Sequence, residues 1–200
     1  MFIEGDVPLT PYPAWAQSDQ ALASISTLMG QFHEASRGFA DTGLPWNSEL
    51  ADPAGGTMIC HNDVCLENVV FREGVAVALL DFDFAAPGRA VYDIAQMARM
   101  CVPLDDEETA ASRGWLAADL PGRLRLVADS YGLDGAARAT LLDVLRDLMA
   151  RSGEFVLRRV AAGDENFRQM LEELGGVTRF DRRRHWWGAH ERFFEQALMR

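Results

Sequence analysis

Apolar side chains recur at helical spacing over most of the chain. Between Ser18, a suitable N-cap, and Gly38, a suitable stop, this period predicts a first helix that buries Leu22, Ile25 and Met29. After Pro87-Gly88 the pattern stays helical to the C-terminus. Further helices are predicted over residues 91–100, 119–131, 136–162, 164–174 and 182–199.

In one part of the chain, the spacing of apolar residues changes from the helical period to alternation with polar residues. Residues 57–60 have the composition of a short strand, and residues 69–80 read as a β-hairpin that turns at Arg72-Glu73-Gly74. The strands do not alternate with helices, which excludes a doubly wound parallel sheet. The sequence therefore predicts a mostly helical α+β domain with one small β-hairpin.

Four polar residues interrupt this apolar part of the chain. His61 and Asp63 follow the first predicted strand, and Asn68 directly precedes the hairpin, which ends at Asp81. A hairpin returns its second strand beside its first, so we expect Asp81 to lie near Asn68. The side chains of Asp63, Asn68 and Asp81 are therefore predicted to converge on one cleft.

The order and spacing of these residues match the H-x-D-x-x-x-x-N loop and the following D-F element of kinases. Phosphoryl transfer needs a carboxylate that accepts or orients the proton of the substrate hydroxyl, a role that fits Asp63. It also needs oxygen ligands for Mg²⁺, which Asn68 and Asp81 supply. Asp83 could join the metal shell or bond to the turn, and His61 is assigned a structural role.

The same motifs resemble those of the aminoglycoside phosphotransferase family. The matching stretches are C-H-N-D at 60–63, N-V-V-F at 68–71, L-D-F-D at 80–83 and Y-D-I-A at 92–95. Similarity is greatest to bacterial members, some of which are named for trifolitoxin immunity. The family comprises small-molecule kinases with a protein-kinase-like fold.

The resemblance implies a cofactor and a substrate class. It implies ATP or GTP with Mg²⁺, and a small-molecule hydroxyl as acceptor, with a cationic acceptor one expectation. It places Phe2, Ile3 and Glu4 at the nucleotide-binding hinge. It also implies that Asp93 supports the catalytic loop by accepting hydrogen bonds from its backbone.

The resemblance also divides the chain. Residues 1–18 match a hinge-like connector and residues 19–200 a kinase-like C-lobe. Within that lobe, residues 19–100 form the catalytic core and residues 101–200 a helical substrate-binding subdomain. The nucleotide-clamping N-lobe of the family, which precedes the hinge, is expected to be absent. Its phosphate-contacting lysine has no counterpart here, because all 19 basic residues are arginine.

Three interpretations follow from this pattern. The first is an ATP-dependent phosphotransferase, which as an isolated C-lobe is expected to bind Mg²⁺-nucleotide weakly and to turn over slowly or not at all. The second is a non-catalytic kinase-like binding or immunity module. The third is a truncated gene product whose true start lies upstream. A C-lobe alone would expose surface near the hinge, where a protein partner or self-association is expected.

Charge and composition narrow the possible partners. The net charge of −11 argues against nucleic acid as a binding partner. The stretch 179–187 is basic and aromatic, and we interpret it as a helix start whose arginines pair with the acidic surface. The acidic stretch at 105–108 is interpreted as a solvated helix start, or as a wall near a cationic substrate. We expect no membrane partner, because no apolar run is long enough to cross a bilayer. Three cysteines without a C-x-x-C motif and no secretory signal favour the cytoplasm.

Overall fold

The computed structural model describes residues 3–39, 43, 45–151 and 153–200. Its first long helix, α1, spans Asp19–Ala35. The Ser18 side chain accepts a hydrogen bond from the Ala21 N–H at 3.1 Å, and this satisfies one of the free donors of the first turn. The buried face of α1 carries the apolar residues that set the predicted period, so this helix is confirmed.

Two small antiparallel sheets follow α1. Strand β1, Met58–Cys60, pairs with β4, Ala86–Gly88. Strand β2, Val69–Arg72, pairs with β3, Val75–Leu79, and this pair is the predicted hairpin. Strand β4 was not predicted, because its sequence of alanine, proline and glycine is typical of a loop.

The rest of the described chain is mainly helical. Helices α2 to α8 span Ala90–Cys101, Glu107–Ser112, Leu120–Tyr131, Gly135–Ala150, Glu154–Ala161, Glu165–Glu173 and Thr178–Leu198. Helix α4 packs against both α1 and α8, and α2 packs against α5. In this part of the chain no helix is both long enough and apolar enough to span a bilayer.

The single helix predicted over residues 136–162 is wrong, because two helices occupy this range. Helix α5 ends at Ala150 and α6 begins at Glu154. Between them, Gly153 has a φ of +96°, and a Cβ atom at this position would lie 2.5 Å from the Phe180 ring of α8. The break is therefore set by a distant helix as well as by the local sequence.

The break gives a stability prediction. Gly153→Ala is expected to lower the free energy of unfolding by about 2–4 kcal/mol, because the left-handed φ and the overlap with Phe180 both cost free energy. Gly163→Ala is the matched control, since its φ is +86° and its Cβ would meet no atom within 4 Å. Urea unfolding should show a cost of about 1 kcal/mol for the control. Equal costs at the two positions would contradict this account of the break.

Candidate functional site

The hairpin places Asp81 beside Asn68. Val69 pairs with Leu79, and the Leu80 N–H donates a hydrogen bond to the Asn68 carbonyl at 2.8 Å. Asp81 follows immediately, with an exposed side chain and a φ of +58°. This left-handed conformation is uncommon for a residue other than glycine, and it ends the strand at the site.

Asp63 and Asn68 are in direct contact. The Asn68 Nδ2 donates to the Asp63 main-chain carbonyl at 2.9 Å and approaches the Asp63 Oδ2 at 3.4 Å. These contacts hold the amide nitrogen toward Asp63, which leaves the amide oxygen of Asn68 as the group able to bind a cation. The short 3-10 turn Leu66–Asn68 positions this amide just before β2.

Asp63 lies in an environment that favours proton uptake. Burial raises the pKa of Asp63 to about 6, and the neighbouring Asp81 carboxylate adds to this rise, whereas Arg99 opposes it. A carboxylate with a pKa close to neutral is well matched to accepting or sharing a proton.

His61 ties the loop to the hairpin. Its Nε2 bonds to the Leu80 carbonyl at 2.8 Å, and a carbonyl can only accept, so Nε2 carries the proton. The Nδ1 can then accept from the Asp63 N–H at 3.3 Å. The ring also packs against Phe82, with centroids 4.5 Å apart. Both ring nitrogens therefore serve to position the loop.

Asp93, near the start of α2, is a buried anchor for the same loop. Its two carboxylate oxygens accept hydrogen bonds from the main-chain N–H groups of His61 and Asn62, each at 2.7 Å. The Nε2 of His33 lies 3.0 Å from Asp93 Oδ2, and the His33 Nδ1 lies 2.8 Å from the Tyr131 hydroxyl. This network connects the loop to α1 and α4.

The sequence alone does not reveal the contact between His33 and Asp93. The only signal was a histidine beside the apolar face of a predicted helix, which indicates burial but not its partner. His33 and Asp93 are 60 residues apart in the chain, so only the packing of α1 against the loop reveals the link.

The remaining predicted ligands lie at the edge of the site. The Asp83 side chain is exposed, and its main-chain carbonyl accepts a hydrogen bond from Asn47 Nδ2 at 2.8 Å. Among the residues that the structure describes, no cluster of three or more His, Cys, Asp or Glu side chains could hold a metal ion. A cation would therefore need the mixed set of carboxylate and amide oxygens at Asp81 and Asn68.

The predicted hinge pairs with the edge of the hairpin. Asp6 and Phe71 exchange two main-chain hydrogen bonds of 2.8 Å, and the Glu4 carbonyl accepts from Arg72 Nε. Glu4 also lines an open cavity of about 570 Å³ at this edge. Ile3 is half-buried, and Phe2 lies outside the described residues.

A second, larger cavity opens beside Asp63. Its volume is about 630 Å³, and its walls come from α2 and from the helices of the C-terminal half. Asp63 lines this cavity, whereas Asn68, Asp81 and Asp83 do not. Asp63 thus links Asn68, a potential metal ligand that it contacts, to a cavity with room for a small molecule.

The acidic and basic stretches noted in the sequence pair with each other. Asp105 is only 7% exposed and lies 3.1 Å from Arg179 and 3.7 Å from Arg183. The prediction that the stretch 105–108 is a solvated helix start is confirmed for Asp106, which caps α3, and for the exposed Glu107 and Glu108. It is wrong for Asp105, because α8 covers that residue. Arg182 lies 3.7 Å from Asp106, so the predicted pairing of these arginines with carboxylates is confirmed.

Comparisons with known proteins agree with the resemblance. Residues 44–127 match the model of the phosphotransferase enzyme family. The matched segment includes the loop at 61–68, the hairpin and α2. The trifolitoxin immunity protein of Rhizobium leguminosarum bv. trifolii is 28% identical to this chain in an alignment over 204 residues. The alignment covers 98% of this chain and 75% of that protein. No solved structure gives a significant match. The similarity to the phosphotransferase family is thereby confirmed.

Proposed function

Because residues 44–127 match the phosphotransferase enzyme family, we propose that this protein transfers a phosphoryl group from ATP or GTP to the hydroxyl of a small molecule. The observation that carries this proposal is the contact between Asp63 and Asn68, with Asp81 returned beside them by the hairpin. In this proposal the described chain corresponds to the C-lobe of a kinase-like fold.

Asp63 would receive the proton of the acceptor hydroxyl. It is half-buried, its pKa is raised toward neutrality, and it faces the larger cavity. The His61 ring accepts a hydrogen bond from the Asp63 N–H, and the Asn68 amide donates one to the Asp63 carbonyl, so the backbone of Asp63 is held on both sides. Because the carboxylate is already fixed, it can orient an incoming hydroxyl without a further loss of its own conformational entropy during the reaction.

Asn68 and Asp81 fit the requirements of Mg²⁺. Both offer hard oxygen donors, and the amide of Asn68 is oriented by its bonds to Asp63. When bound, Mg²⁺ would neutralise charge on the phosphates of the nucleotide. The exposed carboxylate of Asp81 can reach such an ion from the solvent side, and Asp83 could add a third oxygen ligand.

The nucleotide would lie at the hinge edge of the hairpin, near Ile3 and Glu4. Arginine is the only strongly basic side chain in this chain, so no lysine here can contact the phosphates. Those contacts would have to come from main-chain N–H groups, from arginine or from the metal. We therefore expect weak nucleotide binding and slow turnover.

The relative named for trifolitoxin immunity supports a second candidate function. In this alternative, the chain is a non-catalytic immunity module that binds a ligand in the cavity beside Asp63. The two candidates differ in one respect that can be measured. Only the phosphotransferase requires Mg²⁺-dependent nucleotide binding at Asp81 and Asn68.

The experiment is a calorimetric titration with a non-hydrolysable ATP analogue, with and without Mg²⁺. We expect binding that depends on Mg²⁺ and that weakens about tenfold or more in Asp81→Asn, since a charged metal ligand is lost. Asp147→Asn, an exposed aspartate on α5, is the matched control and should bind like the wild type. Binding that ignores both Mg²⁺ and Asp81→Asn would favour the non-catalytic module.

A further inference from the structure

The cavity beside Asp63 carries more arginine than acidic side chains, although the chain as a whole has a net charge of −11. The arginines among its described lining residues are Arg99, Arg113, Arg151, Arg158, Arg179 and Arg183. The carboxylates among them are Glu49, Asp63, Glu154 and Glu173. A cavity wall with six arginines and four carboxylates is suited to hold a negatively charged ligand, although the protein as a whole is acidic.

Several of these arginines lack a carboxylate partner. Arg99, in the last turn of α2, donates a hydrogen bond to the Gln96 Oε1 at 3.2 Å. Within the described ranges, no carboxylate oxygen lies within 4.0 Å of the guanidinium of Arg99, Arg113 or Arg151. Since guanidinium groups keep their charge at neutral pH, these side chains remain positive in the cavity wall.

The buried arginines also lie close enough to repel one another. Arg179 and Arg183 are 6% and 7% exposed, and both lie beside the single carboxylate of Asp105. Burial lowers the pKa of Arg183, and the charges of Arg99, Arg179 and Arg113 lower it further. Burial also lowers the pKa of Arg99, and Arg113 and Arg179 lower it further, whereas the negative charge of Asp63 raises it. A bound anion would relieve this repulsion.

The position of the arginines assigns them to the acceptor. The cavity is lined by Asp63 but not by Asn68 or Asp81, which hold the metal and nucleotide in the proposed function. A molecule in the cavity would therefore reach Asp63 without displacing a metal held by Asn68 and Asp81. We propose that the acceptor is an alcohol that carries a carboxylate or phosphate group, bound by Arg99 and the neighbouring arginines. This inference rests on the proposed function and replaces the expected cationic acceptor.

The chemistry of arginine suits both anionic groups. A guanidinium presents parallel N–H donors that match the two oxygens of a carboxylate or phosphate, and such charge-assisted bonds are strong when shielded from water. A volume of about 630 Å³ lies within the range of small-molecule sites and can hold a sugar-sized acceptor. The anion would anchor one end of the acceptor and leave a hydroxyl free to reach Asp63.

The test uses four six-carbon probes of similar size in calorimetric titrations: D-gluconate, glucose 6-phosphate, glucose and glucosamine. We expect at least one anionic probe to bind about tenfold or more tightly than glucose, and glucosamine to bind most weakly. Arg99→Gln should weaken anion binding about tenfold. The control Arg192→Gln, an exposed arginine on α8, should bind like the wild type. Gluconate and glucose 6-phosphate together distinguish a carboxylate site from a phosphate site.

The opposite results would overturn the inference. These are an affinity order led by glucose or glucosamine, no binding of either anionic probe at millimolar concentration, or unchanged anion affinity in Arg99→Gln. Urea unfolding checks that Arg99→Gln is folded. If that variant does not fold, Arg113→Gln replaces it, with the same expected loss of anion affinity.

Two further arms separate this inference from the proposed function. The anion titration is repeated with the non-hydrolysable ATP analogue and Mg²⁺ present, and we expect the two ligands to bind together. Competition between them would assign the arginines to the nucleotide phosphates and would overturn the inference. Phosphoryl transfer only to neutral or cationic alcohols would also overturn it, while leaving the proposed function intact. Anion binding without any transfer would keep the anion site and remove the proposed function.

Discussion

Replacing Asp93 with asparagine is expected to lower the free energy of unfolding by about 3–5 kcal/mol. Asp93 is fully buried and accepts two main-chain hydrogen bonds from the loop, while the His33 ring lies against one of its oxygens. An asparagine side chain has only one accepting oxygen. Its NH₂ group would face one of the two main-chain N–H groups of the loop, which are also donors. A buried donor would then be left without a partner, and the charge-assisted bonds would be lost.

The measurement is urea unfolding of Asp93→Asn beside the control Asp147→Asn. Asp147 is exposed on α5, so its substitution should change the free energy of unfolding by no more than about 0.5 kcal/mol. A similarly small change for Asp93→Asn would show that the loop is held without this carboxylate, against the anchoring role assigned to it.

The parts of the fold that depend on local chemistry were predictable from the sequence. Helix α1 follows from the Ser18 cap and the apolar period, and the hairpin follows from alternation around Glu73-Gly74. The break between α5 and α6 was only partly predictable, because Gly153 is a local signal but the Phe180 ring that fills the space beside it comes from α8. Long-range packing overrides the local helical pattern at that point.

The residues of the candidate site also differ in how far the sequence could predict their contacts. Asp63, Asn68 and Asp81 could be grouped from the sequence, because a short loop and a hairpin fix their separation. The pair Asp105 and Arg179 could not, since each lies in a hydrophilic stretch that looks solvated by itself and the two are 74 residues apart. The arginine-rich wall of the cavity is likewise assembled from separate elements, so no local pattern reveals it.

Asp63→Asn is expected to have the largest effect on activity. Loss of a group that accepts or orients the proton of the attacking hydroxyl should lower kcat by about 10²–10⁴-fold. Asparagine keeps the size of the side chain and removes a charge that burial disfavours, as the raised pKa of Asp63 shows. The variant should therefore be at least as stable as the wild type, which separates lost activity from lost folding.

The most direct test of the proposed phosphotransferase follows the γ-phosphoryl group itself. Purified protein is incubated with Mg²⁺ and ATP labelled at the γ-phosphate, together with gluconate, glucose 6-phosphate, glucose or glucosamine, and the labelled products are separated. We predict slow, Mg²⁺-dependent labelling of an acceptor by the wild type and by Asp147→Asn, and its loss in Asp63→Asn. No transfer by the wild type in any condition, or equal transfer by Asp63→Asn, would contradict the assignment of this site to phosphoryl transfer.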